Sequence, residues 1–237
     1  MTAPKENLAI ARLLLRATRT AALATIDRGA GGPLTTLVAL GCDAGGVPLM
    51  LFSQLSQHTK NLAADPRGSL LLAARAERGD PLNRPRLTLS GRILPREGAG
   101  ARARYVRQNP KSRLYASFAD FGVYAMAIDS VHFNGGFARA AVLEPGDLIT
   151  DTAGAEELIE AEAALLAQVN SDGARLARLA GDRKSDGARR WQARSLDPEG
   201  LDVASGAATG RIVFDAPAQT AAQWLRELER SSGMQRL

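Results

Sequence analysis

Apolar residues between positions 8 and 17 recur at helical spacing, with Ile10, Leu13, Leu14 and Ala17 on one side, and they predict a short leading helix. After position 20 the helical spacing gives way to short apolar runs separated by turns. Residues 21–26 form a compact apolar run ended by Asp27-Arg28-Gly29-Ala30-Gly31-Gly32-Pro33, whose glycines mark a turn, and residues 34–41 supply a partner strand. Asp43-Ala44-Gly45-Gly46 makes a second turn before a third strand over 47–52. Three strands joined at hairpin length predict an antiparallel meander. Residues 56–64 then read as a helix stopped by Asp65-Pro66. The wholly apolar run 69–74 has the character of a strand buried on both faces, which predicts a barrel.

Over 86–94, Leu87, Leu89 and Gly91 alternate with Thr88 and Ser90, the pattern of a half-exposed strand. Residues 98–109 read as a helix cut by Pro110, and 124–133 and 136–143 as two further strands. Beyond Glu144-Pro145-Gly146 the composition turns to Ala, Leu and Glu. Helices are expected over 155–169 and 174–180, short strands over 191–196, 201–204 and 211–214, and a closing helix over 217–231 with Pro217 in its first turn. The fold class is α+β, with an antiparallel barrel-like domain over 1–145. A small α+β domain over 146–237 follows, its helices flanking a short antiparallel sheet.

Composition narrows the context. In 237 residues no apolar run reaches the roughly 18 to 20 residues of a membrane span, and residues 1–7 do not read as a signal peptide. A single cysteine, Cys42, excludes an intrachain disulfide and a cysteine-rich metal site, so a reducing, cytoplasmic setting is expected. The formal charge of +5 could suggest nucleic acid, but arginines are interleaved with acids and only 5% of residues are aromatic. The excess reads as mild attraction for anionic ligands, and Arg183, Lys184, Arg189 and Arg190 as a solvated face.

Several chemistries are absent from the motifs. No Gly-x-Ser-x-Gly elbow, no Gly-x-x-x-x-Gly-Lys-Ser/Thr loop and no Gly-x-Gly-x-x-Gly fingerprint occurs. The two histidines, His58 and His132, have no metal-ligand spacing, and no metal is expected. His132, between Val131 and Phe133 on a strand, reads as structural. The carboxylates of Asp197-Pro198-Glu199-Gly200-Leu201-Asp202 lack the register of a calcium loop and read as a tight turn. The segment that does point to a ligand is the helix start at Ser56. Ser56 is the candidate N-cap, the N–H groups of the first turn are free, and His58, Thr59 and Lys60 add donors or charge where an anion would sit.

Six segments resemble one family jointly: Ala22-Leu23-Ala24-Thr25; Thr36-Leu37-Val38-Ala39; Ser56-x-His58-Thr59-x-Asn61-Leu62; Gly79-Asp80-Pro81-Leu82; Arg86-Leu87-Thr88-Leu89-x-Gly91; and Gly135-Gly136-Phe137-x-Arg139-Ala140. They are similar to the FMN-binding split-barrel proteins related to pyridoxamine 5′-phosphate oxidase, in the branch that includes the HugZ-type haem-utilisation proteins. Asn170-x-Asp172, the 197–202 turn and Arg211-Ile212-x-Phe214 are similar to the small domain appended in that branch. The resemblance implies an N-terminal split β-barrel and a homodimer with its cofactor site at the subunit interface. It further implies FMN as cofactor and an oxidoreductase acting on a small molecule.

Carried over by motif, Thr35, Thr36, Leu37, Val38, Phe52 and Ser53 would line the isoalloxazine, and Ser56, His58, Thr59 and Lys60 would hold the phosphate. Arg86 would reach the ring. His58 stands where many relatives have lysine, which shifts weight onto Lys60 and the helix N–H groups. No side chain is singled out as catalytic. Haem is the alternative cofactor implied, with His132 or Arg139 near its iron or propionates, although the histidines that many branch members carry at positions matching 167–173 and near the C-terminus are absent. A flavin-binding module without turnover is the third reading.

Overall fold

The computed structural model describes residues 3–74, 80–136, 139–181 and 190–236. Gly79, Phe137, Arg183, Lys184 and Arg189 lie outside them. The chain divides into two compact units, Met1–Ile149 and Thr150–Leu237.

The first unit opens with helix α1 (Ala3–Ala17) and carries eight strands: β1 (Thr20–Ile26), β2 (Pro33–Ala39), β3 (Gly41–Cys42), β4 (Pro48–Ser53), β5 (Arg67–Ala73), β6 (Arg86–Pro95), β7 (Phe121–Asn134) and β8 (Ala140–Leu143). Helix α2 (Gln57–Ala64) joins β4 to β5, α3 (Ala99–Gln108) lies between β6 and β7, and the short α4 (Pro145–Leu148) closes the unit. All pairings are antiparallel, in the order β2-β1-β5-β6-β7-β4-β3, with β8 on the C-terminal part of β7. Only Leu40 separates β2 from β3, yet these strands stand at the two ends of that order, so the sheet curls round on itself. This is the antiparallel split barrel expected from the sequence.

Two local expectations change. The first three strands are not a meander, because β4 pairs with β7 from Leu49↔Ala125 to Ser53↔Phe121 rather than with β2. The end of α3 explains the break: Asn109 Nδ2 donates to the Leu40 carbonyl at 3.0 Å, and the Cys42 N–H donates to Gln108 Oε1 at 2.8 Å. Side chains thus satisfy backbone groups that a continuing ladder would have used. The run 69–74 is also not buried on both faces. Leu70 and Leu72 point into the core with Leu23, Leu87, Leu89 and Phe133, whereas Leu71 is 43% exposed on the outer face.

A β-bulge interrupts the β6–β7 ladder between Ser90 and Gly91. The inward positions of β7 pass from Met126 and Ile128 to Val131 and Phe133, a change of phase that one extra residue requires. Gly91 is needed there, since a Cβ would overlap the Ala127 carbonyl oxygen.

The second unit packs α5 (Glu156–Glu160), α6 (Glu162–Ser171), α7 (Gly173–Leu179) and α8 (Ala221–Arg230) with a sheet of order β12-β11-β10-β9. Its strands are β9 (Gln192–Asp197), β10 (Gly200–Ser205), β11 (Ala208–Val213) and β12 (Met234–Gln235). The closing helix starts later than Pro217 suggests. A capping box, in which Thr220 and Gln223 each accept the other's N–H, fixes its start at Ala221. The 197–202 turn does more than reverse the chain. Asp197 and Asp202, both fully buried, hold the buried Arg211, whose guanidinium reaches Asp197 at 2.7 and 2.8 Å and Asp202 at 2.8 Å. No described helix is long and apolar enough to cross a membrane.

Candidate functional site

Strand β4 ends at Ser53, and Gln54-Leu55-Ser56 turns the chain into α2. Ser56 occupies the N-cap position with extended backbone (φ −69°, ψ 143°), but its hydroxyl makes no capping bond. The expected side-chain cap is therefore not formed. The N–H groups of Gln57, His58 and Thr59 have no helix carbonyl four residues back to bond. Thr59 Oγ1 is buried and has no hydrogen-bond partner. An uncommitted hydroxyl at Ser56, an orphaned one at Thr59 and a positive helix end next to Lys60 form a donor set that fits a phosphate.

His58 faces the barrel edge. Its ring packs on Phe52 at 4.4 Å between centroids, tilted by 54°, and Nδ1 lies 3.3 Å from Thr36 Oγ1. Half-burial pushes its pKa below the usual histidine value, so the neutral imidazole prevails at pH 7. A cavity of about 200 Å³ opens here, and Leu37, Val38, Phe52, Ser53, Ser56 and His58 contribute to its wall.

The opposite wall comes from residues that motif reasoning missed. Tyr105 on α3, Tyr115 from the loop after it, and Phe121 at the start of β7 line the same cavity. Burial raises the Tyr105 pKa, so its hydroxyl stays protonated. Arg102 fixes the loop by donating to the carbonyls of Ala116 and of Phe121, the latter at 2.7 Å. Asp120 ties loop to strand, accepting from Ser53 Oγ at 2.6 Å and, through its carbonyl, from the Gln54 N–H at 2.8 Å. The signal was present in the sequence: Tyr115, Phe118 and Phe121 recur every three residues in a chain poor in aromatics.

The structure thus brings Thr36, Leu37, Val38, Phe52, Ser53, Ser56 and His58 together, with Thr59 and Lys60 on the same helix. Two of the expected residues stand apart. Thr35 points to the outer face, and Arg86 opens β6 opposite Asn134, at the far end of β7 from Gly122, which pairs with Phe52. Arg86 Nη1 donates to the Leu82 carbonyl at 2.7 Å. His132 points outward between buried Val131 and Phe133, as expected. Among the described residues no cluster of His, Cys, Asp and Glu could hold a metal.

The outer face of the sheet has an unusual composition. One transverse row, set by the register, reads Leu37, Ala22, Leu71, Thr88, His132 and Val142; Leu37 and Val142 are each 78% exposed. The adjacent row reads Thr35, Ala24, Ser69, Ser90 and Ser130. Neither row contains a Lys, Arg, Asp or Glu. Leu37 belongs both to this face and to the cavity wall.

Comparison with known proteins gives matches of three kinds. The model of the CREG β-barrel family matches residues 2–148. A protein of unknown function from Agrobacterium tumefaciens is 36% identical, with 96% of each chain covered and a TM-score of 0.83. A heme binding protein from Mycobacterium smegmatis is 27% identical, with 94% of this chain and 96% of that one covered and a TM-score of 0.57. The chloroplastic heme oxygenase HOZ of Arabidopsis thaliana is 34% identical over 115 residues, 46% of this chain. The match spans 34% of the plant protein's length.

Proposed function

Since this chain belongs to the CREG β-barrel family, a family of split-barrel fold, we propose that it is a homodimeric FMN-binding protein that carries out redox chemistry on a small molecule. The observation that carries this reading is the start of α2, where free N–H groups and the uncommitted Ser56 hydroxyl, with the orphaned Thr59 hydroxyl in the same helix turn, adjoin the aromatic cavity of Phe52, Tyr105, Tyr115 and Phe121. A phosphate at the helix end would leave a planar ring to rest against that wall. Bound FMN would supply the electron transfer. The chain's own residues position it: Lys60 adds charge, His58 and Thr36 border the ring, and Arg102 holds the aromatic loop.

Two uncharged rows of the outer face support the dimer. Exposed Leu37, Leu71 and Val142 in one row, beside a row of small and hydroxyl side chains, suit a flat self-complementary contact. Leu37 makes the cavity continuous with that contact. Arg86, on the same outer face, would then serve the site of the opposite subunit, which accounts for its distance from the cavity in its own chain.

Haem is the second reading, favoured by His58 itself. A neutral His58 imidazole, with Nδ1 3.3 Å from the Thr36 hydroxyl that would orient the ring, is the side chain that would hold the haem iron, and the haem would supply the redox chemistry. The absorption spectrum of the freshly purified protein, followed by titration with FMN and with hemin, separates the readings. Flavin bands, or FMN binding in the micromolar range, are expected. A protein that shows no flavin bands and binds FMN no better than millimolar refutes the first reading. A Soret shift with hemin that disappears in His58→Ala establishes the second.

A further inference from the structure

A second cavity, about 440 Å³, lies within the first unit and shares no lining residue with the site at α2. Its walls are apolar: Val47, Leu94, Met126, Ile128 and Ile149 are prominent, and Arg96 is its one charged residue. The cavity is built into the strand pairing rather than left by loose packing. The bulge opposite Gly91 shifts the phase of β7 just beyond Ile128, and α4 supplies the neighbouring wall, held by Arg12 Nε donating to the Asp147 carbonyl at 2.7 Å. Gly91, part of a motif that the FMN reading leaves without a role, is the residue that permits this bulge.

Arg96 sets the chemistry of an occupant. Its side chain is 46% exposed, and Nη2 approaches Asp43 Oδ2 at 3.5 Å, well short of a close fork contact. Asp43 has other partners, since Oδ1 accepts the Val47 N–H at 2.9 Å and its carbonyl accepts Arg16 Nη1 at 3.0 Å. A ligand carboxylate could therefore take the Arg96 fork without stranding Asp43. A mostly apolar volume of several hundred Å³ with one cation in its lining suits a ligand with an apolar body and an anionic end.

We propose that this cavity binds a medium-chain monocarboxylate, with the hydrocarbon against Met126 and Ile128 and the carboxylate on Arg96. The test is calorimetric titration of the full chain with decanoate and, in parallel, with decanol. Saturable decanoate binding below about 1 mM is expected. Arg96→Met should weaken decanoate by about tenfold or more and leave decanol unchanged, because a charge-assisted contact is lost while the apolar wall remains. Leu94→Trp, at a partly exposed rim position that leaves the core untouched, should weaken both ligands, and Lys60→Ala should affect neither. The proposal is overturned if decanoate does not saturate, if Arg96→Met weakens both ligands equally, if Leu94→Trp leaves both unchanged, or if FMN displaces decanoate competitively.

Discussion

Replacing Arg211 by Met tests the core of the second unit. The guanidinium is fully enclosed and donates to two carboxylates that are themselves 0% exposed, Asp197 and Asp202, with Ser195 Oγ also donating to Asp202 Oδ2 at 2.8 Å. Met conserves much of the volume but strands two like charges in a medium that cannot solvate them. Removing one partner of a buried ion pair costs about 3–5 kcal/mol. With a urea dependence of about 2 kcal/mol per M, the midpoint should fall by about 2 M. In a unit of this size, each kcal/mol is also worth about 4–8 °C in Tm.

Both tryptophans of the chain, Trp191 and Trp224, lie in this unit, so intrinsic tryptophan emission reports its unfolding selectively. Trp224 is a close witness, because its Nε1 donates to the Asp197 carbonyl at 3.1 Å. The penalty should also depend on pH. In Arg211→Met the folded state gains by taking up a proton on one stranded carboxylate, so it binds more protons than the unfolded state. Stability of the variant relative to the parent must then rise as pH falls from 8 toward 5. A loss below about 1 kcal/mol, or an equal loss at pH 5 and 8, would refute the ion-pair reasoning.

Four further outcomes are expected. At pH 8, Lys60→Ala should weaken FMN binding more than His58→Ala, because the depressed His58 pKa leaves its ring uncharged there; equal or reversed losses in a fluorescence titration would mean the phosphate contacts are assigned wrongly. Leu71→Asp should convert the proposed dimer to a monomer in analytical ultracentrifugation, and an unchanged mass would discard the outer sheet face as the contact. Gly91→Ala should cost about 3 kcal/mol in denaturant titration, since the obstructing Ala127 oxygen is backbone and cannot rotate away; a cost under about 1 kcal/mol would show that the bulge yields. His58 has a folded pKa below its unfolded 6.5, so its contribution to stability is complete above pH 6.5 and is lost as pH falls through the lowered value; His58→Phe should flatten that part of the stability profile.

Much of this was legible in the sequence because it depends on local period. The alternation at Leu87, Leu89 and Gly91, the stop at Asp65-Pro66 and the change of composition near position 145 each follow from short-range geometry. The strand partners of β4 were not legible, since the break before it depends on Gln108 and Asn109, which bond Cys42 and Leu40 across more than sixty residues of sequence. Leu71 was misread because an all-apolar run looks the same whether its second face meets the core or another surface. Within the site, the β4–α2 corner was found through its motif. The aromatic wall of Tyr105, Tyr115 and Phe121 was passed over because it comes from a helix, a loop and a strand start without one. Asp197 and Asp202 were read as turn residues, their partner Arg211 lying on another strand.

The single residue between β2 and β3 also governs the order in which the barrel can be assembled. Strand β4 leaves the ribosome early, but its ladder partner is the start of β7, and Ser53 must wait for Phe121. At ordinary rates of synthesis the wait is on the order of several seconds. During that interval the edge of β4 that faces β7 has no native strand to pair with, and the hinge at Leu40 keeps it near β2, where a non-native hairpin is the nearest alternative. Closure of the barrel is therefore a late, long-range event, and Gln108 and Asn109, which arrive just before β7, are placed to turn the chain away from that trap in time.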